Sequence, residues 1–334
     1  MAVSGWALAF HPLRAIRQVP YPSGMSSKFR AALADALDAA PAPIPTIRHY
    51  RGIVIVAGGE LYGRLAFHLI AVLRGLGCQL PVEVWHFAHE MPEPMRSVFA
   101  DLPGVRLVDV DAFCQSQGIT TRPVLRPGWW LKPFALRHCE FAHAMLLDAD
   151  NVPAVNPEYL FNDTDCQKAG SMFWPDLPPN RERSQWVPDA AWHTVGLEPV
   201  AAARPFESGQ MIVDRTRHSR ALDVAILLNE WSDVMYQVVY GDKDTFLLAW
   251  HLVGARYVMP PKNPVWRHPA ICQHDRAGNL VFQHACQAKE AIARGDVIKA
   301  IVNRRFAPDA AAEFTRQLAF CRAKQARPSV GPAL

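Results

Sequence analysis

The chain has 334 residues, half of them hydrophobic and one fifth charged, which is the composition of a soluble globular protein with a substantial core. Its net charge of +4 is small and dispersed, which argues against a nucleic-acid partner, and no apolar run is long enough for a transmembrane segment. The seven cysteines are scattered and form no C-x-x-C pair, so we expect neither a zinc site nor a disulfide framework, but a reducing compartment such as the cytoplasm.

Three regions are predicted along the chain. Residues 1–50 are expected to form an N-terminal helical arm, because the alanine-rich segment 26–40 is helix-prone and is followed by three prolines. One large domain is expected over 51–305. A C-terminal helix and tail are expected over 306–334.

The large domain begins with a predicted α/β core that contains a mostly parallel sheet. Residues 52–57 form a continuous β-branched run, typical of a strand buried on both faces, and residues 61–76 repeat apolar residues at helical spacing. Further strand-like runs follow at 81–86, 105–110 and 144–147. Strands that alternate with helices predict βαβ units, whose ligands bind near the carboxyl ends of the strands.

The break after the first strand, Ala57-Gly58-Gly59, falls at the edge of the sheet where ligands are expected. It does not match G-x-G-x-x-G, so a Rossmann-type dinucleotide site is not predicted. Lys132 lies farther along, at the start of a predicted helix before the fourth strand. Two interpretations of Lys132 stay open: a group that reaches a nucleotide, or a solvated lysine at a helix start.

Two acidic residues follow the fourth predicted strand. The apolar run from Met145 leads into Asp148-Ala149-Asp150 and is stopped by Asn151 and Pro153. Side chains alternate along a strand, so the two carboxylates point the same way where the strand leaves the core. Carboxylate oxygens are ligands that Mg²⁺ and Mn²⁺ prefer, and such ions keep positions open for phosphates. A simple turn with a capping role is the alternative.

The second half of the chain is less regular and richer in proline and tryptophan. Residues 178–192 are polar and predict a long loop, a kind of segment that is often functional or mobile. Residues 206–214 predict a polar turn that leads into a strand, and 240–246 predict a helix start with Asp242 as its cap. A last strand-like run, 279–284, ends in a histidine.

Five stretches, in one order along the chain, carry a resemblance to a known family. They are 75–86 (GLGCQLPVEVWH), 146–153 (LLDADNVP), 173–176 (FWPD), 207–210 (ESGQ) and 241–246 (GDKDTF). With them the chain resembles the mannosyltransferase family that includes the fungal α-mannosyltransferases, over about residues 51–290. This fold would present all five stretches to one cleft, so together they support the resemblance more strongly than any one of them does.

The resemblance implies a GT-A type fold, a mostly parallel Rossmann-like sheet flanked by helices, with an acceptor-side subdomain. It implies a retaining α-transferase that uses Mn²⁺ (or Mg²⁺). Such an enzyme moves a sugar from a nucleotide-diphosphate donor, a GDP- or UDP-sugar, to a glycan or other hydroxyl acceptor. Members of the secretory pathway carry an N-terminal membrane anchor, and we expect none in this chain. We therefore expect a cytoplasmic, bacterial-type enzyme and leave the sugar open.

The resemblance also implies which residues hold the metal. It assigns Asp148 and Asp150 as two ligands and a histidine near the C-terminal end as the third. His284 is the first candidate for this histidine and His274 is the second. Lys289 would lie near the diphosphate as an additional cation.

A second set of acids is implied for the sugar. Asp242 and Asp244 resemble a pair that holds the hydroxyls of the donor sugar beneath its reacting carbon. Glu207 is the third catalytic candidate, on the sugar or acceptor side. The residues expected to bind the donor are Ala57, Gly58, Gly59, Tyr62, Lys132, Asp148, Gln210, Lys243 and Lys289.

Two rival interpretations compete with this one. Haloacid-dehalogenase-type phosphohydrolases also place Asp-x-Asp after an apolar strand, but on the first strand of the core and followed by Gly-Thr, which Asn151-Val152 does not match. A domain that binds a nucleotide sugar or glycan without catalysis is the other rival. Intact acids at each expected place argue against it.

Overall fold

A six-stranded sheet lies at the centre of the part of the protein that the computed structural model describes, residues 26–40, 43–44, 46–177 and 187–294. From one edge to the other, its strands are Val105–Asp109 (β3), Val82–His86 (β2), His49–Val56 (β1), Phe141–Asp148 (β4), Phe206–Asp214 (β7) and Ser171–Pro175 (β6). The first four run parallel, whereas β7 is antiparallel to both of its neighbours.

A smaller antiparallel sheet adjoins the first. Its strands, in order, are Asn151–Pro153 (β5), Leu280–His284 (β10), Ala270–His274 (β9) and Val265–Arg267 (β8). Because β5 follows β4 after only two residues, the chain passes directly from the centre of the large sheet to the edge of the small one.

Helices cover the large sheet. In chain order they are Ser27–Asp38 (α1), Gly59–Gly75 (α2), Glu93–Ala100 (α3), Val110–Gln117 (α4), Pro127–His138 (α5), Thr164–Ala169 (α6), Asp189–Thr194 (α7), Ser219–Glu230 (α8), Ser232–Met235 (α9), Asp242–Leu252 (α10) and Lys289–Ala293 (α11), with 3₁₀ turns at Ala88–Glu90 and Pro157–Asn162. In the described part of the chain, no helix combines the length and apolar character needed to cross a bilayer.

Two apolar cores lie on opposite faces of the sheet, since side chains alternate along each strand. Ile53 and Ile55 of β1 pack with α2 and α3 in one core. Val54, between them, packs with α5, α8 and α10 in the other. All three side chains are fully buried, which explains why β1 is a continuous β-branched run rather than an alternating pattern.

The first helix packs onto the second core. Phe29 and Leu33 of α1 are buried, and the Phe29 ring contacts Trp231 at 5.6 Å between centroids. Residues 1–25 of the predicted arm and the predicted C-terminal helix and tail over 306–334 lie outside the described residues.

The predicted α/β class with a mostly parallel sheet is confirmed, and the four predicted strands correspond to β1 to β4. The prediction of a loop over 178–192 is wrong at its end, because residues 189–194 form α7, whose Ala191 and Trp192 are buried. Residues 178–186 of that segment lie outside the described residues.

Candidate active site

The turn after β4 carries two carboxylates to the junction of the two sheets. Asp148 ends β4 and Asn151 begins β5, so Asp148 and Asp150 span the passage between the sheets. In the register of the small sheet, Asn151 lies opposite His284, the last residue of β10. Strand pairing therefore brings the histidine beside the carboxylates.

Asp148, Asp150 and His284 form a cluster with the spacing of a metal site. One ligand atom of each residue lies within 4.8 Å of the other two. Asp150 is 2% exposed, and its Oδ2 accepts no well-directed hydrogen bond from the described part of the chain. Carboxylates are suitable ligands for hard divalent ions. Mg²⁺ is usually bound by oxygen ligands alone, so the imidazole nitrogen in this set favours Mn²⁺. The donor set, its spacing and an acceptor that makes no well-directed hydrogen bond all fit such an ion.

His284 lies between two carboxylates. Its Nε2 is 3.3 Å from Asp150 Oδ1, and its Nδ1 is 2.9 Å from Glu207 Oε1. Burial alone would lower the pKa of His284, but the attraction of Asp150 and Glu207 outweighs it and raises the pKa well above its usual value. Binding of a metal ion at Nε2 would therefore release a proton.

Lys132 is buried and joins the cluster to a second acidic group. Its Nζ lies 2.7 Å from Asp148 Oδ1 and 3.0 Å from Asp242 Oδ2. Burial would lower the pKa of Lys132, but Asp148 and Asp242 outweigh this effect and raise it. Of the two interpretations that the sequence left open, a solvated lysine is excluded, because this ammonium group is enclosed between two carboxylates.

Lys289 approaches the cluster from α11. Its Nζ is 3.3 Å from Asp150 Oδ2 and 3.4 Å from the Tyr62 hydroxyl on α2. Burial would raise the pKa of Asp150, but His284 and Lys289 hold it below the usual range of a carboxyl group. Lys289 and Tyr62 remain partly exposed, so this side of the cluster is open to solvent.

Asp242 and Asp244 lie in the first turn of α10. The Asp242 side chain makes no capping hydrogen bond, so the predicted cap is wrong; its carboxylate turns to Lys132 instead. Asp244 Oδ2 accepts a hydrogen bond from the Tyr240 N–H (2.8 Å), while its Oδ1 accepts none from the residues described. Asp244 thus keeps one oxygen without a hydrogen-bond donor among the described residues.

Lys243, between these acids, donates a hydrogen bond to Asp176 at the end of the FWPD stretch. Burial would lower the pKa of Lys243, but Asp176 and Asp244 outweigh it and raise the pKa. The pair joins two of the five stretches that carried the resemblance.

Glu207 and Gln210 lie on β7, next to β4. Glu207 Oε1 accepts hydrogen bonds from the Gly209 N–H and from the His284 ring, and its Oε2 accepts one from the Gln210 amide. The Glu207 carboxylate faces the His284 ring, because the start of β7 and the end of β10 meet there. Its role on the sugar or acceptor side stays a prediction.

The break at Ala57-Gly58-Gly59 lies at the carboxyl end of β1, as predicted. A Cβ added at Gly58 would lie 1.9 Å from Glu90 Oε2, so the Glu90 carboxylate approaches the backbone where only glycine leaves room. Gly59 begins α2 with φ of 72°, a left-handed conformation that glycine adopts without strain.

The second-choice histidine does not join the site. His274 pairs with Leu280, at the opposite end of β10 from His284. The register of the small sheet therefore places His284 beside the carboxylates and His274 away from them.

The sequence profile of the family described as "Mannosyltransferase putative" matches residues 50–194 and 197–270, which is more than half of the chain. The chain belongs to this family. The match contains both Asp148 and Asp150 and the acidic pair of α10, whereas His284 and Lys289 lie beyond it.

Curated relatives of this family member are fungal enzymes. The chain is 26% identical to the α-1,2-mannosyltransferase MNN21 of Candida albicans over 63% of its length, and 25% identical to the α-1,2-mannosyltransferase MNN5 of Saccharomyces cerevisiae over 70%. It spans 39% and 48% of those two proteins, less than half of either.

Solved structures with a similar chain course include glycosyltransferases. One is the galactosyltransferase LgtC with donor and acceptor sugar analogues (14% identity, TM-score 0.42, 62% of this chain and 72% of that one). Another is core-mannan synthase A of Aspergillus fumigatus in its Mn/GDP form (11% identity, TM-score 0.41, 70% and 80%).

Within this mannosyltransferase family member the acidic pair follows β4, the fourth strand of the chain, and not the first. This position differs from the first-strand nucleophile expected of a haloacid-dehalogenase-type phosphohydrolase.

Three site neighbours were missed by sequence reasoning: Asn151, Asp176 and Glu90. Asn151 was taken only as a stop to the strand, although it follows the acidic pair directly. Asp176 ends the FWPD stretch, and its partner Lys243 lies 67 residues away. Glu90 carries no local signal, since its approach to Gly58 depends on how β1 and β2 pack.

Proposed function

We propose that this chain is a metal-dependent glycosyltransferase that moves a sugar from a nucleotide-diphosphate donor to a hydroxyl acceptor with retention. The observation that carries the proposal is the Asp148, Asp150 and His284 cluster, which Lys132 connects to the acidic pair of α10. The family makes mannose carried by GDP the first donor to test, with UDP-sugars next. A glycan is the proposed acceptor, and Mn²⁺ is the proposed ion.

The cluster has the chemistry that departure of a diphosphate requires. Asp148, Asp150 and His284 would hold the ion, which supplies positive charge where the leaving diphosphate gains negative charge. Lys289, on the open side of the cluster, offers a second positive charge to the same oxygens. Ala57, Gly58 and Gly59 are proposed to face the nucleotide at the end of β1, where Gly59 leaves open space beside the backbone.

The acidic pair is proposed to bind the sugar. Asp244 Oδ1 is free to accept a hydrogen bond from a sugar hydroxyl. A nearby carboxylate also stabilises the positive charge that develops on the sugar as the bond to the diphosphate breaks. Lys132 holds Asp242 at a fixed distance from Asp148, so metal site and sugar site are positioned together.

A reducing compartment such as the cytoplasm is part of the proposal. The six cysteines in the described part of the chain are unpaired, and four of them are buried. Burial raises the pKa of Cys78 and Cys166 to about 12, which keeps these thiols protonated and unreactive.

The proposal is tested by incubating the chain with GDP- and UDP-sugars, with Mn²⁺ or with EDTA. We expect one donor to raise the melting temperature only when Mn²⁺ is present, because a ligand of the native state stabilises it. The same donor should be hydrolysed slowly, and faster transfer should follow when mannosides are added. Binding without any loss of donor, with or without acceptor, would instead indicate a non-catalytic binding domain.

The proposed role of Asp244 predicts a dependence of kcat/KM on pH. Burial raises the pKa of Asp244 to about 6, against the attraction of Lys243. If the ionised carboxylate acts on the sugar, kcat/KM should fall about tenfold per pH unit below that value. Asp244→Asn should lower the plateau and abolish this decline. A decline that persists unchanged in the variant would assign it to another group.

The same pKa has a consequence for stability. The folded protein binds a proton at Asp244 more tightly than the unfolded chain, in which the carboxyl group has its ordinary pKa of 3.8. Protonated Asp244 therefore makes its whole contribution to the free energy of unfolding below pH 3.8, and this contribution is lost as the pH rises through about 6.

A further inference from the structure

The proposed metal ligand His284 belongs to a closed ring of contacts, which also contains Glu207, Gln210, Asn151 and Asp150. The His284 Nδ1 lies 2.9 Å from Glu207 Oε1, and its Nε2 lies 3.3 Å from Asp150 Oδ1. Glu207 is 5% exposed, and both its oxygens accept hydrogen bonds within the protein. No donor from solvent is needed to satisfy this carboxylate.

The other half of the ring passes through Asn151, the residue after Asp150. The Asn151 amide donates to Gln210 Oε1 at 2.6 Å and to the Gly209 carbonyl at 2.7 Å. The Gln210 amide in turn donates to Glu207. The ring thus ties β7 of the large sheet to β5 and β10 of the small one, at the one place where the three ligands converge.

Gly209 makes the contact between Glu207 and His284 possible. A Cβ added there would lie 2.7 Å from His284 Nδ1 and 2.8 Å from Glu207 Oε1, closer than real side chains approach. The turn 207–210 therefore supplies both the carboxylate that His284 contacts and the space in which they meet.

We propose that Glu207 is a positioning residue that orients His284 for metal binding, and that Gly209, Gln210 and Asn151 hold Glu207 in place. A neutral imidazole carries a proton on one nitrogen and a lone pair on the other. Because Glu207 accepts a hydrogen bond from the Nδ1–H group, the lone pair of a neutral ring is left on Nε2, which faces Asp150 and would face the ion. This inference rests on the metal role proposed above and differs from the acceptor-side role expected from the sequence.

The test measures metal binding and not turnover. Mn²⁺ affinity is determined by titration, and the electron spin echo of bound Mn²⁺ reports a coordinated nitrogen directly. The native chain should show nitrogen modulation and His284→Ala should lack it. Glu207→Ala should weaken Mn²⁺ binding by about 10- to 100-fold and diminish the nitrogen modulation. Glu207→Gln, which keeps the volume and one acceptor oxygen, should fall between the native chain and Glu207→Ala.

Two further variants separate positioning from general loss of structure. Gly209→Ala removes no polar group from the ring, but its methyl group would force His284 and Glu207 apart, so it should reproduce the weaker binding and the loss of nitrogen modulation. Glu83→Gln is the matched control. Glu83 is also a buried glutamate that accepts several hydrogen bonds, including one from Trp85, but it lies outside the ring. Its replacement should leave Mn²⁺ affinity and nitrogen modulation unchanged.

The proposal is overturned if folded Glu207→Gln and Gly209→Ala proteins bind Mn²⁺ with native affinity and native nitrogen modulation. If Glu207→Ala does not fold, the Mn²⁺ affinities of Glu207→Gln and Gly209→Ala still test the proposal. A native chain that binds Mn²⁺ through nitrogen but transfers no sugar would contradict the proposed function and leave this inference standing. A native chain that shows no nitrogen modulation would contradict the inference itself.

Discussion

Replacing Asp148 or Asp150 by Asn is expected to lower kcat for sugar transfer by roughly 10²- to 10³-fold, the loss seen when one charge-stabilising group is removed from an active site. Each carboxylate lies within 4.8 Å of the other proposed ligands, so its neutral amide removes one charge from the ion's coordination sphere. Nucleotide affinity should also cease to depend on Mn²⁺. Rates and nucleotide affinity are measured with Mn²⁺ and after chelation.

A matched variant controls for the Asp-to-Asn change itself. Asp163 caps α6 by accepting hydrogen bonds from two backbone N–H groups, a role that Asn fulfils equally well. Asp163→Asn should therefore keep full activity and metal dependence. The metal assignment fails if Asp148→Asn or Asp150→Asn retains native activity after exhaustive chelation.

Asp244→Asn is expected to lower kcat by roughly 10²-fold while nucleotide affinity changes little, because the carboxylate is proposed to act on charge that develops only in the transition state. Asp244 makes no hydrogen bond or ion pair with the three cluster residues; its Oδ2 accepts a hydrogen bond from the Tyr240 N–H, and the charge of Lys243 attracts it. Mn²⁺ affinity should accordingly stay at the native value. Single-turnover rates and nucleotide binding, measured on the same protein, give the two quantities.

Comparison with two other carboxylates sharpens this prediction. Asp148→Asn should lose both rate and metal-dependent nucleotide binding, whereas Asp244→Asn should lose rate alone. Asp233, on the exposed surface of α9, provides a control whose replacement by Asn should change neither. If Asp244→Asn weakens nucleotide binding as much as it slows the reaction, Asp244 belongs to the nucleotide site and the proposed division is incorrect.

The sequence predicted those features whose physical cause lies within a few neighbouring residues. Burial on both faces makes β1 a run of Ile and Val, and the turn after β4 needs polar residues, so the strands and Asp148 and Asp150 are visible in a short window. His284 was named through a family resemblance, since a single histidine at a strand end has no local signature. Register then distinguished it from His274.

Tertiary structure decided what each polar side chain contacts. The partners of Lys132 include Asp242 on a helix more than a hundred positions away, so neither its burial nor its charge could be deduced from its neighbours. Glu207 and His284 are 77 residues apart, and their contact exists only because β7 begins where β10 ends. The sequence by itself determined the class of fold and the acidic pair, because backbone periodicity and burial act within a few residues. Which groups orient the proposed metal ligand depended on strand order and register, which bring distant residues within hydrogen-bonding distance.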